Sequence, residues 1–138
     1  MIAYLDSSVL LRIVLGQRGR LKEWPTVERG VASALVEVEC LRTLDRFRIR
    51  NEITQDELAK YRIAMYRLLE ETDLVELTRP ILSRASQPFA TAVGTLDAIH
   101  LATAILWRDQ TAEPLLVATH DTALALAARS HGFKVIGA

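Results

Sequence analysis

Leu115-Leu116-Val117-Ala118-Thr119-His120-Asp121-Thr122 decides the architecture. Its first half is a continuous apolar run of strand length, and its second half has the polar, cap-forming character that opens a helix. The Ala-rich segment over about 122–131 carries that helix, and Gly132 follows as a C′ residue. Phe133-Lys134-Val135-Ile136 then reads as a last strand. No apolar/polar alternation interrupts residues 115–118, so both faces of that strand are expected to be covered.

Strand-then-helix units recur toward the N-terminus. Ile2-Ala3-Tyr4-Leu5 is a short buried strand ending at Asp6, and a helix from Ser7 or Ser8 runs through Leu15 toward Gly16. Val31-Ala32-Ser33 feeds a long helix over about 34–50. Thr54-Gln55-Asp56-Glu57 has capping-box spacing and starts a helix over about 54–71. Leu74-Val75-Glu76-Leu77 reads as a third strand, with Pro80 where the next helix begins. Residues 96–107 are apolar and Ala-rich, hence a buried helix. Short apolar strands separated by helices predict an α/β sandwich, a parallel sheet covered on both faces. In such open sheets, sites gather beyond the carboxyl ends of the strands.

The chain has 138 residues, with 17 basic against 17 acidic side chains, 50% hydrophobic and 25% charged. That length suits one domain, residues 1–138, able to fold without a disulfide or a structural metal. The apolar share excludes disorder, and the charge balance excludes nucleic-acid binding through bulk charge; any such contact is a local patch. Cys40 is the lone cysteine, which fits a reducing compartment. The apolar stretch over 9–15 is interrupted by Arg12 and too short to span a bilayer, so a soluble cytoplasmic protein is expected.

Acidic residues mark the strand ends. Asp6 follows the first strand, Asp121 follows 115–118 after Thr119 and His120, Glu39 lies in the second turn of the helix after Ser33, and Asp97 opens an almost uncharged helix. Convergent carboxylates repel one another, and a hard divalent cation such as Mg²⁺ or Mn²⁺ resolves that conflict while activating a bound water. Plainer roles stand beside this one. Asp6 and Asp121 are each placed to cap a helix, and Asp97 needs a partner or a cap role of its own. Glu39 and Glu37 point to different helix faces. Glu39 shares its face with Arg42 and Arg46, so a surface ion pair with Arg42 is an equal reading to metal binding.

Four stretches together resemble PIN-domain ribonucleases, most closely the VapC-type toxins of toxin–antitoxin systems. They are Asp6-Ser7-Ser8, Ser33-x-Leu35-x-x-x-Glu39-x-x-Arg42, Asp97-Ala98-Ile99-His100-Leu101-Ala102-Thr103-Ala104 and Thr119-x-Asp121, in that order along nearly the whole chain. The resemblance implies a PIN-like three-layer α/β/α sandwich with a central parallel sheet of four to five strands. It implies a metal-dependent endoribonuclease, with Asp6, Glu39, Asp97 and Asp121 holding Mg²⁺ or Mn²⁺ and Thr119 placing the water or metal. It chooses Glu39 over Glu37. Products with 5′-phosphate and 3′-hydroxyl ends, a tRNA or rRNA loop as target, a cognate antitoxin and a homodimer are further implications. The chain departs from the family pattern in having Ser7-Ser8 after Asp6, and in having no acidic residue beside Asp121.

Other residues carry plainer expectations. Arg42, Arg46, Arg48 and Arg50, joined by Arg12, Arg18 and Arg20, are expected to supply a subset of RNA phosphate contacts. His100, His120 and His131 have no metal-ligand spacing; His100 is expected to pack on its helix, and His131 to sit where a cation is mildly favoured. The helices over 34–50 and 54–71 are expected to form a hairpin whose groove is lined by Phe47, Tyr61, Met65 and Leu69, or else to bury those residues in the core. Neither G-x-x-x-x-G-K-S/T nor G-x-G-x-x-G occurs, which removes P-loop and dinucleotide readings. A haloacid-dehalogenase-like site lacks its second Asp, since Ser8 stands there, and a receiver domain lacks an Asp after Leu77. An RNA-processing nuclease that is not a toxin, and an inactive PIN-fold binding module, are the alternatives.

Overall fold

Strands β1 (Ile2–Leu5), β2 (Arg29–Ser33), β3 (Asp73–Val75), β4 (Leu115–Ala118) and β5 (Val135–Ile136) pair in parallel, in the order β3-β2-β1-β4-β5. This is a computed structural model, and it describes residues 1–138. The helices between them are α1 (Ser7–Leu15), α2 (Leu35–Ile49), α3 (Gln55–Glu70), α4 (Arg79–Ala85), α5 (Thr95–Thr111) and α6 (Thr122–Ser130). The capping box at Thr54 forms as the spacing predicts, with Thr54 Oγ1 accepting from Glu57 N at 3.1 Å and Glu57 Oε1 from Thr54 N at 3.0 Å.

Strand alternation divides the interior in two. Ala3, Leu5, Ala32 and Ala118 face one side, where they meet Val9 and Leu10 of α1, Val36 and Cys40 of α2, and Met65 and Leu69 of α3. Tyr4, Val31, Leu115 and Val117 face the other, against Leu101, Ala104 and Ile105 of α5 and Leu124, Ala127 and Ala128 of α6. These are the three layers of the expected sandwich. Each fully buried Leu or Val here contributes ~1.5–3 kcal/mol. Met65 and Leu69 therefore belong to the core, and the large apolar side chains that α3 exposes are Ile63 and Tyr66.

Three strands differ in their bounds from the sequence expectation. β2 begins at Arg29, two residues before Val31, because Ile2 and Ala3 pair with Arg29 and Gly30. The third strand starts one residue earlier, at Asp73, and ends two earlier, at Val75, because its register is set by Val31 opposite Asp73 and Ser33 opposite Val75. The last strand begins only at Val135. Phe133 is occupied elsewhere: Gly132 takes φ +85, Phe133 N donates to Ala128 O at 3.0 Å, and the ring is buried under α6. Helix α5 runs a turn beyond Trp107, to Thr111. No helix is long and apolar enough to cross a membrane.

β1 is the central strand. The chain winds from it to β2 and β3 on one side, then crosses back to β4 and β5 on the other. The topological switch point thus lies between the carboxyl ends of β1 and β4, where Asp6 and Thr119 emerge.

Candidate active site

Asp6 leaves β1 at the N-cap of α1 and is 4% exposed. Its Oδ1 accepts from Ser8 N at 3.0 Å, Ser8 Oγ at 2.5 Å and Val9 N at 3.3 Å. Its Oδ2 accepts from the hydroxyl of the fully buried Thr119 at 2.6 Å. That Thr119 oxygen in turn accepts from Asp121 N at 3.0 Å, and Ser8 Oγ accepts from His120 N at 3.0 Å. Two side-chain hydroxyls thus bridge the ends of β1 and β4. Capping and site placement coincide here. Asp121 caps α6 through Oδ1, which accepts from Leu124 N at 2.9 Å, and its other oxygen has no partner within the protein.

Glu39 reaches over the strand ends from α2. Its Oε1 lies 2.5 Å from Nε2 of His100, and Nδ1 of His100 lies 2.7 Å from the Tyr4 hydroxyl. Burial pushes the Tyr4 pKa up, with the charges of Asp6 and Glu39 adding to it, so the phenol stays protonated and donates to Nδ1. With Nδ1 accepting, Nε2 is the ring nitrogen that donates, and it is directed at Glu39. Tyr4 Oη also accepts from Ser33 N at 3.2 Å. The chain Ser33–Tyr4–His100–Glu39 fixes the glutamate from beneath.

The alternative role for Glu39 does not occur. Arg42 binds Asp45 at 2.8 Å, Arg48 binds the same carboxylate at 2.9 Å, and Arg46 donates to Thr43 Oγ1. Glu37 is exposed. His100 is no mere packing residue, which corrects the sequence expectation. Its spacing three residues after Asp97 was the available signal, since i and i+3 share a helix face. Tyr4, a polar-tipped residue in an apolar strand, was another.

Asp97 is the third residue of α5, half-buried, and accepts no hydrogen bond from the protein. Its pKa is raised, first by burial and next by the charge of Asp121, with Asp6 and Glu39 adding to this and His100 opposing. Burial and the charges of Glu39 and Asp6 also push the Cys40 thiol up to about 12. The acidic residues predicted from the sequence therefore act on one another across one edge of the sheet.

No three His, Cys, Asp or Glu side chains close tightly enough to cage a metal by themselves. A hard ion that keeps several waters needs no such cage, because one or two carboxylates and a substrate phosphate complete its shell. An all-oxygen donor set with unpartnered oxygens on Asp97 and Asp121 fits that requirement.

The remaining basic and histidine residues divide clearly. Arg12 donates to Gly19 O at 3.1 Å, while Arg18, Arg20 and Lys22 on the loop after α1 form no ion pair. His131 is not a favoured cation: burial, then the charges of Arg84 and Arg108, lower its pKa, and Nε2 accepts from Ala90 N at 3.2 Å.

Comparison with known proteins bears on the family and the fold. Residues 3–130 match the PIN domain family. The chain is 30% identical to Ribonuclease VapC47 of Mycobacterium tuberculosis, over 94% of this chain and 92% of that one. Among solved structures, a toxin–antitoxin complex from Klebsiella pneumoniae matches with TM-score 0.68 at 17% identity, covering 97% of this chain and 95% of that one. FitAcB from Neisseria gonorrhoeae matches with TM-score 0.67 at 20% identity, covering 99% and 96%. Those two share the fold; the sequence match carries the family, and with it the conclusion that this chain belongs to the PIN-domain family, among the VapC ribonucleases.

Proposed function

We propose that the protein is a divalent-metal-dependent endoribonuclease of the toxin type, restrained by a cognate antitoxin. Asp6, Glu39, Asp97 and Asp121 are its metal-holding carboxylates, with Thr119 as the residue that sets Asp6. The observation that carries this reading is Asp97: a carboxyl without a partner, whose ionisation is opposed by burial and by three neighbouring carboxylates. Such an arrangement is costly in an apo fold and is relieved by a cation.

Mg²⁺ or Mn²⁺ held there supplies a polarised phosphoryl oxygen and a water of lowered pKa. The chain's own contribution is preorganisation. Ser8 and Thr119 lock both oxygens of Asp6, and His100 locks one oxygen of Glu39, so neither carboxylate has to reorient as negative charge develops on the phosphate. No side chain serves as nucleophile. The toxin–antitoxin assemblies among the structural neighbours support an antitoxin partner, and homodimer formation accompanies it in this proposal. A lone, buried Cys40 suits the cytoplasm.

The test is cleavage of an RNA pool by antitoxin-free protein in Mg²⁺ or Mn²⁺, with EDTA and Asp97→Asn as controls. Metal-dependent cutting that disappears in the variant is the expected result. Undiminished cutting by Asp97→Asn, or cutting that EDTA leaves intact, overturns the assignment.

A further inference from the structure

Beside the acidic edge, a pocket of about 630 Å³ opens between the loop after α1 and the C-terminal strand. Arg20, Lys22, Glu23, His120 and Gly137 are among its lining residues. His120 stands between Thr119 and Asp121, about 3.8 Å of chain from each, so one residue of the pocket lining is the immediate neighbour of two residues proposed for the catalytic edge.

Its polar groups are unusual in what they lack. Nδ1 of His120 lies 2.9 Å from the carbonyl of Gly137 and donates to it, so in the neutral ring Nε2 is an acceptor. That Nε2 is shielded from solvent and has no partner, and the same holds for Oε2 of Glu23. Two acceptors without a protein donor in one pocket lining suit a ligand that brings N–H donors and reaches them by shifting the side chains that shield them. Arg20 and Lys22 at the rim are exposed and unpaired, which suits a phosphate.

The walls are held in place. Arg12 donates to Gly19 O, Leu21 is 3% exposed, and Thr26 N and Oγ1 donate to Glu23 O at 2.9 and 2.6 Å. Gly137 has φ +94, and a Cβ there would stand 2.6 Å from Thr119 O, so only glycine lets the C-terminal segment lie against the end of β4.

We infer that this pocket is a nucleotide subsite that selects guanine next to the scissile phosphate, with Glu23 and His120 accepting from the N1–H and N2 amino group and Arg20 and Lys22 meeting the adjoining phosphate. Of the RNA bases, guanine alone presents two adjacent N–H donors on its Watson–Crick edge. Adenine and cytosine present one amino group beside an acceptor, and uracil one imino group between acceptors. Single-stranded RNA offers that edge to a protein. The inference rests on the ribonuclease reading above and deepens it into a sequence preference.

The test separates the two. GMP, AMP, CMP, UMP and inorganic phosphate are titrated into the full chain in EDTA, with amide shifts followed by NMR. GMP is expected to move the amides of Leu21, Glu23 and Gly137, at roughly tenfold lower concentration than UMP. Glu23→Gln and His120→Ala are each expected to collapse that difference, while Lys22→Ala weakens all nucleotides alike. Equal response to every nucleotide, no response at these amides, or a preference untouched by Glu23→Gln overturns the inference. Failure of the ribonuclease reading shows differently, as guanine-selective binding by a protein that cuts no RNA.

Discussion

Replacing Thr119 by valine removes one hydroxyl and keeps the β-branched shape, so the cost can be worked from its bonds. The Thr119 hydroxyl donates to Asp6 Oδ2 at 2.6 Å, and both residues are buried. A hydrogen bond to a charged group contributes ~1.5–3 kcal/mol net. The same oxygen accepts from Asp121 N, and since Asp121 is exposed, losing that acceptor adds about 1 kcal/mol or less. The variant should thus lose about 2–3 kcal/mol. For a chain of this size that is a fall in Tm of roughly 6–12 °C. Urea unfolding of metal-free protein measures it, with Thr119→Ser as the variant expected to retain most of the stability. A double-mutant cycle with Asp6→Asn isolates the charge-assisted part, expected at about 1 kcal/mol. A loss below about 0.5 kcal/mol, or a coupling indistinguishable from zero, would refute the claim that this bond ties β1 to β4.

Two further expectations concern titration. Asp97→Asn should stabilise the metal-free protein at neutral pH: the raised pKa means that the folded state holds the proton more tightly than the unfolded one, so the wild type loses stability as pH climbs from the ordinary carboxylate range through the raised value. The advantage of the variant should vanish in acid, and urea midpoints across pH check it; a pH-independent gap would contradict the sign. His131 runs the other way. Its folded pKa is lowered, so its contribution is full above about 6.5 and is lost as pH falls through the lower folded value. The stability difference between wild type and His131→Ala should therefore shrink between about pH 7.5 and about pH 5. A difference that grows in acid would show that the Ala90–His131 bond is not made by the neutral ring.

Local signals carried most of the fold into the sequence. The apolar run at 115–118, the capping box at Thr54 and the small residues of α5 each correspond to an element in the expected place. Strand ends were less legible, because Asp73 enters β3 through register with Val31 rather than through propensity, and Phe133 leaves β5 to close α6. The order β3-β2-β1-β4-β5 had no periodic signature at all. At the site, the motif order and the acidic residues were readable, but the fixing network was not. Neither the Thr119–Asp6 bond nor the Tyr4–His100–Glu39 chain has a local pattern, since each joins residues brought together only by the sheet. The ion pair of Glu39 with Arg42 was as plausible on spacing as anything else, and lost to Asp45, which both Arg42 and Arg48 grip.

The position of β1 also sets a timetable. Within this sheet it is made before every other strand, and β4, which pairs Leu115 against Ile2, is the fourth of the five. While the chain grows, β1 can recruit β2 on one flank, but its other edge stays open, a template for unwanted pairing until residue 118 has been made. Asp6 waits equally long for Thr119, and the acidic edge waits for Asp121. A product that stops after β3 therefore has β1 unpaired on one edge and lacks three of the residues proposed for the site, Asp97, Thr119 and Asp121.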